Sequence, residues 1–404
     1  MVKWCPGCGD HSILNAVSKV FPEIGYKKEN YVIVSGIGCS SRFPYYVNSY
    51  GFHGIHGRAH AIASGVKIAN PGLSVWIPTG DGDSLAIGGN HFIHLIRRNI
   101  DVNVMLFNNQ IYGLTKGQYS PTSPLGAQTK TSPYGTIEHP FSVGELVIGA
   151  QGTFFARAID TNPPMMTEIM FEAAKHDGTS IVEILQNCVI FNDKAHEYIT
   201  SKEHRDEMQL HLKHGERMLF GKEKNKGIRL NGRSLEAVTI GENGITEEDI
   251  LIHDMHNPDP GMHLMLAKLS SPIAFGVIRA AAAPTYDDLM EEQILPVSTL
   301  FWCGVPFVLG VMLVLASIFW EPVAKLGWII TILGLACWAI AVITKVLLEN
   351  TMSRDLEACV RQLDKVRGQI KTLKEERDEL DAQLPGGSGP LDARLTAGEA
   401  YVKK

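Results

Sequence analysis

Two short apolar runs, each stopped by a glycine- or asparagine-marked loop, constrain this chain more than any other feature. Leu73–Pro78 ends at Gly80-Asp81-Gly82-Asp83, and Val102–Phe107 ends at Asn108-Asn109. Between them, Ser84–Asn99 places Leu85, Phe92, Leu95 and Ile96 on one side of a helix. Strand, loop, helix, strand, loop is the unit of a parallel sheet. Both loops then sit at the carboxyl ends of strands, where open α/β sheets bind ligands. Their chemistry suits a metal-held phosphate. The Asp81 carboxylate, the Asn109 amide oxygen and a backbone carbonyl just after it are the hard oxygen donors that Mg²⁺ takes while it also holds phosphate. The glycines let backbone N–H groups approach an anion closely. Gly-Asp-Gly alone is usually an ordinary turn; its pairing with Asn-Asn makes the pattern specific.

The cysteines fall into the same frame. Cys5-Pro-Gly-Cys8 precedes a helix-like stretch, Ile13–Phe21, and the strand Tyr31–Ile37 runs into Gly38-Cys39. A later strand, Ser180–Leu185, runs into Cys188. Cys39 and Cys188 thus follow strand ends, as Asp81 and Asn109 do, and the C-x₂-C pair can swing onto the same edge. Four thiolates converging there can hold Zn²⁺ or a [4Fe–4S] cluster. Spacing alone leaves both open, and Cys188 by itself would be a core residue.

Gly-Asp-Gly with Asn-Asn resembles the thiamine-diphosphate and Mg²⁺ motif of thiamine-dependent enzymes. That resemblance implies Asp81, Asn109 and the Ile111 carbonyl as Mg²⁺ ligands. It puts Gly80, Gly82, Asp83 and the Gly113-Leu114-Thr115 backbone around the diphosphate. Cys-Pro-Gly-Cys-Gly-Asp-His, Gly-Ile-Gly-Cys-Ser-Ser-Arg and Leu-Gln-Asn-Cys-Val-Ile-Phe-Asn stand around that core. Together they closely resemble the β subunit of 2-oxoacid:ferredoxin oxidoreductases over about residues 1–292. In that family the cysteines matching Cys5, Cys8, Cys39 and Cys188 carry a [4Fe–4S] cluster near the thiamine. The resemblance implies oxidative decarboxylation of a 2-oxoacid with CoA as acyl acceptor and electrons passed through the cluster to ferredoxin. The stretch Tyr119-Ser-Pro-Thr…Thr131-Ser-Pro-Tyr-Gly is more similar to the 2-oxoglutarate branch than to the pyruvate branch. Pyruvate or a branched 2-oxoacid is the alternative substrate. A membrane-bound, zinc-stabilised phosphate-binding scaffold is the alternative of another class. Neither a second thiamine half with an activating glutamate nor a ferredoxin-like run of cysteines is found, so the family pattern implies an α subunit and an external ferredoxin.

Other candidates are weaker. His53-Gly-Ile-His56-Gly-Arg58-Ala-His60 has loop-like spacing and no ligand carboxylate, so most of its histidines read as structural. By resemblance the His-Gly-Arg segment lies by the thiamine ring, which favours His56 and Arg58. Arg42 and Lys116 could bind substrate carboxylates, or contact diphosphate, or be surface charge. Phe52, Trp76 and Tyr45-Tyr46 read as packing. Gln118–Pro140 is long for a structureless connection and suits a functional lid. The strand Phe154–Ile159 and helix Met165–His176 follow, then an exposed helix, His196–Arg217, and a basic turn, Phe220–Leu230.

At residue 296 the composition shifts. Val297–Trp320 carries no charge and Leu326–Leu348 only Lys345. Each would be about 35 Å long as a helix, against a hydrocarbon core of about 30 Å. Arg354, Arg361 and Lys365 follow the second run, while only Lys325 lies in the turn between them. That bias places both ends on the cytoplasmic side of a membrane hairpin; a buried core hairpin is the alternative. Leu356, Cys359, Leu363, Val366, Ile370, Leu373, Arg377, Leu380 and Leu384 then follow heptad steps. They suit a coiled coil, or else an amphipathic helix on the membrane. The expected organisation is a catalytic domain (1–225), its C-terminal tail (226–295), the hairpin (296–348), the coiled coil (349–384) and a flexible tail (385–404). The fold class is α/β, a parallel sheet flanked by helices. A net charge of −6 gives no case for nucleic acid. Seven cysteines in a long chain do not read as a secreted disulfide framework, and the N-terminus shows no signal peptide. A cytoplasmic enzyme tethered to the inner face of the membrane is the expected setting.

Overall fold

A computed structural model of the chain describes residues 2–293. Eight strands form its main sheet: β1 (Tyr31–Ser35), β2 (Tyr50–His53), β3 (Ser74–Gly80), β4 (Asn103–Asn108), β5 (Phe154–Ile159), β6 (Ser180–Leu185), β7 (Gln209–His211) and β8 (Ile273–Ala280). Their spatial order is β2-β1-β3-β4-β6-β5-β8-β7. The pairs from β2 through to β5 are parallel, β8 runs antiparallel to β5, and β7 is parallel to β8.

The interior strands are continuous apolar runs because both faces are covered. On one face Val32, Val34, Val75, Ile77, Val104 and Leu106 pack against helices α2 (Ala59–Ala69) and α4 (Gly89–Arg98). On the other, Ile33, Trp76, Met105, Phe107 and Val182 meet α1 (Asp10–Ile24) and the helix Pro163–Lys175. Residues alternate between faces along each strand, as the pleat requires.

The chain leaves β1 toward β2 and leaves β3 toward β4. The switch point therefore falls between β1 and β3, where open α/β sheets hold their ligands. The loops after β1, β2, β3, β4 and β6 carry Cys39, His56, Asp81, Asn109 and Cys188 to one edge.

Several local expectations need correction. The helix expected over Ser84–Asn99 is two helices, α3 (Asp81–Leu85) and α4, broken at Ala86–Gly88. A Cβ at Gly88 would stand 2.3 Å from the Asp83 carbonyl and 3.1 Å from the Gly57 Cα. The break lets the loop after β2 pass closely. The exposed helix expected over His196–Arg217 is two single turns, Glu197–Thr200 and Arg205–Met208, followed by β7. With no apolar stripe to bury as a helix, the segment instead pairs with the free edge of β8. The basic turn expected at Phe220–Leu230 lies in a three-stranded antiparallel sheet of Leu219–Phe220, Lys226–Asn231 and Ser234–Thr239. Trp76 is core as expected, but Tyr45 and Phe52 are exposed.

The segments expected as 1–225 and 226–295 pack as one unit ending at Glu292, with β8 of the second inside the sheet of the first. The hairpin, coiled coil and flexible tail lie outside the described residues. Among the described residues no helix is long and apolar enough to cross a membrane.

Candidate active site

The loop after β3 enters directly into α3, so Asp81 and Asp83 are buried at its start, both 2% exposed. Their surroundings differ. Asp81 Oδ2 accepts from the Ser120 hydroxyl at 2.6 Å and from the Thr122 hydroxyl. Burial pushes this carboxyl above its usual range, and the two hydroxyls oppose that. Asp83 turns the other way. Its Oδ1 accepts from the Gly57 N–H at 2.8 Å, the Ile37 N–H at 3.2 Å and His56 Nδ1, and its Oδ2 from Thr79 at 3.2 Å. Asp83, expected beside a diphosphate, lines the cavity described below and also ties the loops after β1 and β2 to α3.

After β4, Asn109 Oδ1 accepts from the Ile111 N–H at 3.1 Å, closing a turn through Gln110 in the left-handed region. The following Tyr112 donates to the Gly82 carbonyl at 2.9 Å. Burial, with Asp81 and Asp83 adding to it, pushes Tyr112 up to about 12, so it remains a protonated donor. These loops enclose a cavity of about 80 Å³, lined by Asp10, Ile37–Ser40, His56, Gly80–Asp83, Phe107, Asn109 and Ile111–Thr115. Whole cofactor sites run from about 300 to 1,000 Å³. This one has room for the metal and diphosphate end of a cofactor, and the rest would need a second surface.

The four expected cysteines line a neighbouring cavity of about 240 Å³ with Lys3, Trp4, Arg42, Lys116 and Phe191. Trp4 Nε1 donates to the Cys39 carbonyl at 2.7 Å, and Gln186 Nε2 to Cys8 Sγ at 3.3 Å. Burial raises the Cys8 and Cys39 thiols, Cys39 to about 12, with Asp10 and the other thiols adding to the effect. Bound iron reverses that balance, because a coordinated thiol is deprotonated. Four thiols lining one cavity are a donor set that both Zn²⁺ and an iron–sulfur cluster take. Among the described residues no group of three or more His, Cys, Asp or Glu side chains is already gathered to hold a metal ion, so the four thiols would have to draw together for zinc and for a cluster alike. Asp10, Cys39, Asn109, Gly113 and Leu114 line both cavities, so one thin wall separates them.

The basic candidates divide. Arg42 and Lys116 border the thiol cavity, not the diphosphate one, and Arg42 Nη1 donates to the Lys3 carbonyl at 3.2 Å. Arg58 precedes α2 and lines neither cavity, whereas His56 is held by Asp83. His60 is buried in the core, as expected for a structural histidine. At the root of the expected lid, Ser120, Thr122 and Ser123 are buried and bonded to the site. Sequence reasoning missed Tyr112, Ser120, Thr122 and Asp10. Three hydroxyls closely following Gly117-Gln118 were the available signal for the second and third. A larger cavity of about 720 Å³, lined by Glu168, Glu172, Lys175, His211 and Val277 among others, shares no residue with either site.

The family model described as thiamine pyrophosphate enzyme, C-terminal TPP binding domain, matches residues 36–184. The chain is 48% identical over 297 residues to the 2-oxoglutarate oxidoreductase subunit KorB of Mycobacterium tuberculosis, covering 72% of this chain and 79% of that one. It is 45% identical over 185 residues to the 2-oxoglutarate synthase subunit KorB of Archaeoglobus fulgidus, covering 46% and 69%. Among solved structures, 2-oxoglutarate:ferredoxin oxidoreductase from Magnetococcus marinus with 2-oxoglutarate, coenzyme A and succinyl-CoA bound superimposes with a TM-score of 0.60 at 32% identity. That match covers 74% of this chain and 88% of the other. With the diphosphate-type cavity and the four thiols at one sheet edge, these likenesses make the chain a member of the KorB family of 2-oxoglutarate oxidoreductase subunits.

Proposed function

We propose that this chain is the thiamine-diphosphate and iron–sulfur subunit of an enzyme that oxidatively decarboxylates 2-oxoglutarate with CoA and passes electrons to ferredoxin. The observation that carries it is the shared wall: Asp10, Cys39, Asn109, Gly113 and Leu114 line both the cavity at Asp81 and the four-thiol cavity. Close spacing of this kind is what transfer of electrons from a cofactor to a cluster needs. Thiamine diphosphate, when bound, supplies the electron sink for decarboxylation; the protein supplies position and surroundings. Asp81, Asn109 and the Ile111 carbonyl would hold Mg²⁺, and the Gly82 and Gly113–Thr115 backbone would receive the diphosphate. Cys5, Cys8, Cys39 and Cys188 would hold the cluster. Arg42 and Lys116 stand where anionic substrate groups or an acidic carrier could meet the thiol cavity.

The small diphosphate cavity supports a partner subunit that completes the cofactor and substrate pocket. The name of the Mycobacterium tuberculosis relative and the ligands of the Magnetococcus marinus structure support 2-oxoglutarate and CoA. The test is anaerobic viologen reduction by the chain co-purified with its partner subunit, comparing 2-oxoglutarate with pyruvate, with and without CoA. CoA-dependent reduction on 2-oxoglutarate is expected. Reduction on pyruvate alone would overturn the substrate, and zinc-containing, iron-free protein without activity would overturn the enzyme.

A further inference from the structure

We propose that Ser120, Thr122 and Ser123 form a hydroxyl clamp that positions the metal-binding groups, fixing which oxygen of Asp81 meets the cation. The inference rests on the function proposed above and deepens it. The three side chains are 2%, 4% and 4% exposed. Burying a hydroxyl is costly unless it is bonded; two of these are bonded to Asp81 and the third to the loop after β4.

Ser120 and Thr122 both donate to Asp81 Oδ2, the former at 2.6 Å. Two hydroxyls on one oxygen saturate it, since a carboxylate oxygen offers about two lone-pair sites. A divalent cation would therefore be met by Oδ1. Thr122 Oγ1 also stands 3.0 Å from Asn108 Oδ1. A threonine has one proton to give, and an ionised carboxylate is the stronger acceptor, so the proton goes to Asp81. Asn108 is itself immobile: its Nδ2 donates to Glu183 Oε1 at 2.8 Å, and Arg157 Nε donates to Glu183 Oε2 at 2.8 Å.

Ser123 reaches the other half of the ligand set. Its hydroxyl donates to the Gln110 carbonyl at 2.6 Å and accepts from the Ser120 N–H at 2.8 Å. Gln110 lies between Asn109 and Ile111, the two other groups assigned to Mg²⁺. One four-residue turn therefore holds both the carboxylate and the amide–carbonyl loop. These are positioning residues: none is assigned to the cofactor itself.

The test uses the chain co-purified with its partner subunit and stripped of cofactor. Mg²⁺-dependent binding of thiamine diphosphate is measured by calorimetry for the wild type, Thr122→Val, Thr122→Ser and Ser120→Ala. Thr122→Val and Ser120→Ala should each raise Kd by roughly tenfold or more, the range for hydrogen bonds to a charged group. Thr122→Ser should recover most of the affinity. A merely structural role would lower the Tm of the cofactor-free protein and leave Kd unchanged. Wild-type Kd in both Thr122→Val and Ser120→Ala would overturn the clamp while leaving the proposed function standing. Failure of the wild-type complex to bind thiamine diphosphate would overturn that function and the clamp with it.

Discussion

The Tyr112 hydroxyl donates to the Gly82 carbonyl at 2.9 Å, and the ring of the same residue fills the space a Cβ at position 82 would take. The nearest ring carbon would lie 2.3 Å from that Cβ. The loop after β4 is therefore latched onto the loop after β3 by one aromatic side chain, and only glycine fits beneath it.

Gly82→Ala should push Tyr112 off its seat and separate the two halves of the proposed metal site. Overpacking of this kind costs about 1–3 kcal/mol. Thiamine diphosphate binding should weaken by tenfold or more, with circular dichroism showing the fold retained. Tyr112→Phe keeps the ring and loses one hydrogen bond, worth about 1 kcal/mol. Adding Tyr112→Leu to Gly82→Ala should recover part of the lost affinity. Strictly additive effects in that double-mutant cycle would show that the two residues are not coupled.

Much of this arrangement was legible before the fold was known. The apolar runs Leu73–Pro78 and Val102–Phe107 are buried on both faces, so their composition announces the strands, and the loops that end them fall at one edge. Cys39 and Cys188 were readable for the same reason. The rest depends on contacts between distant segments. The break before α4 is set by Gly57, some thirty residues upstream of Gly88, and no helical period records it. Ser120 and Thr122 belong to a loop whose Ser, Pro and Thr content reads as generic turn chemistry until Asp81 is seen facing it. Asp83 sits in the same motif as Asp81 and looks equivalent in sequence. Only its N–H partners at Ile37 and Gly57 separate the two roles.

Arg157 and Glu183 form an ion pair with both side chains under a tenth exposed, and the guanidinium also donates to the Ala274 and Ala267 carbonyls. Removing one partner leaves a buried charge. Arg157→Met should destabilise the chain by about 3–5 kcal/mol in denaturant unfolding, whereas Arg157→Met with Glu183→Leu should cost much less. Equal losses in the single and double variants would mean the pair's charges are already compensated elsewhere.

Gly113 stands between the two cavities. A Cβ there would lie 3.4 Å from Cys188 Sγ and 3.8 Å from Cys39 Sγ, which is ordinary contact. On the cluster assignment proposed above, Gly113→Ala should leave iron content near the wild-type level. Gly113→Leu sends further carbons toward the thiols and should lower iron and acid-labile sulfide together. Full iron content in Gly113→Leu would place any cluster away from these cysteines.

His60, in the first turn of α2, is fully buried, with Nε2 3.4 Å from the Ser84 hydroxyl. Burial pushes its pKa down to about 3, and His91 adds to the shift. An unfolded histidine titrates near 6.5. Between those values the unfolded chain binds a proton that the folded chain refuses, so stability rises with pH across that window. The contribution is complete above about pH 6.5 and is lost at about 1.4 kcal/mol per pH unit as pH falls toward 3. His176, which burial pushes down to about 4, adds a second group in the same direction. Carboxylates titrate in this range too, so the comparison that isolates the ring is wild type against His60→Gln. The variant removes one titrating site, and its unfolding free energy should fall less steeply between about pH 6.5 and 4, by one proton's slope. A stability difference that stays constant across that range would mean the ring accepts a proton within the folded core.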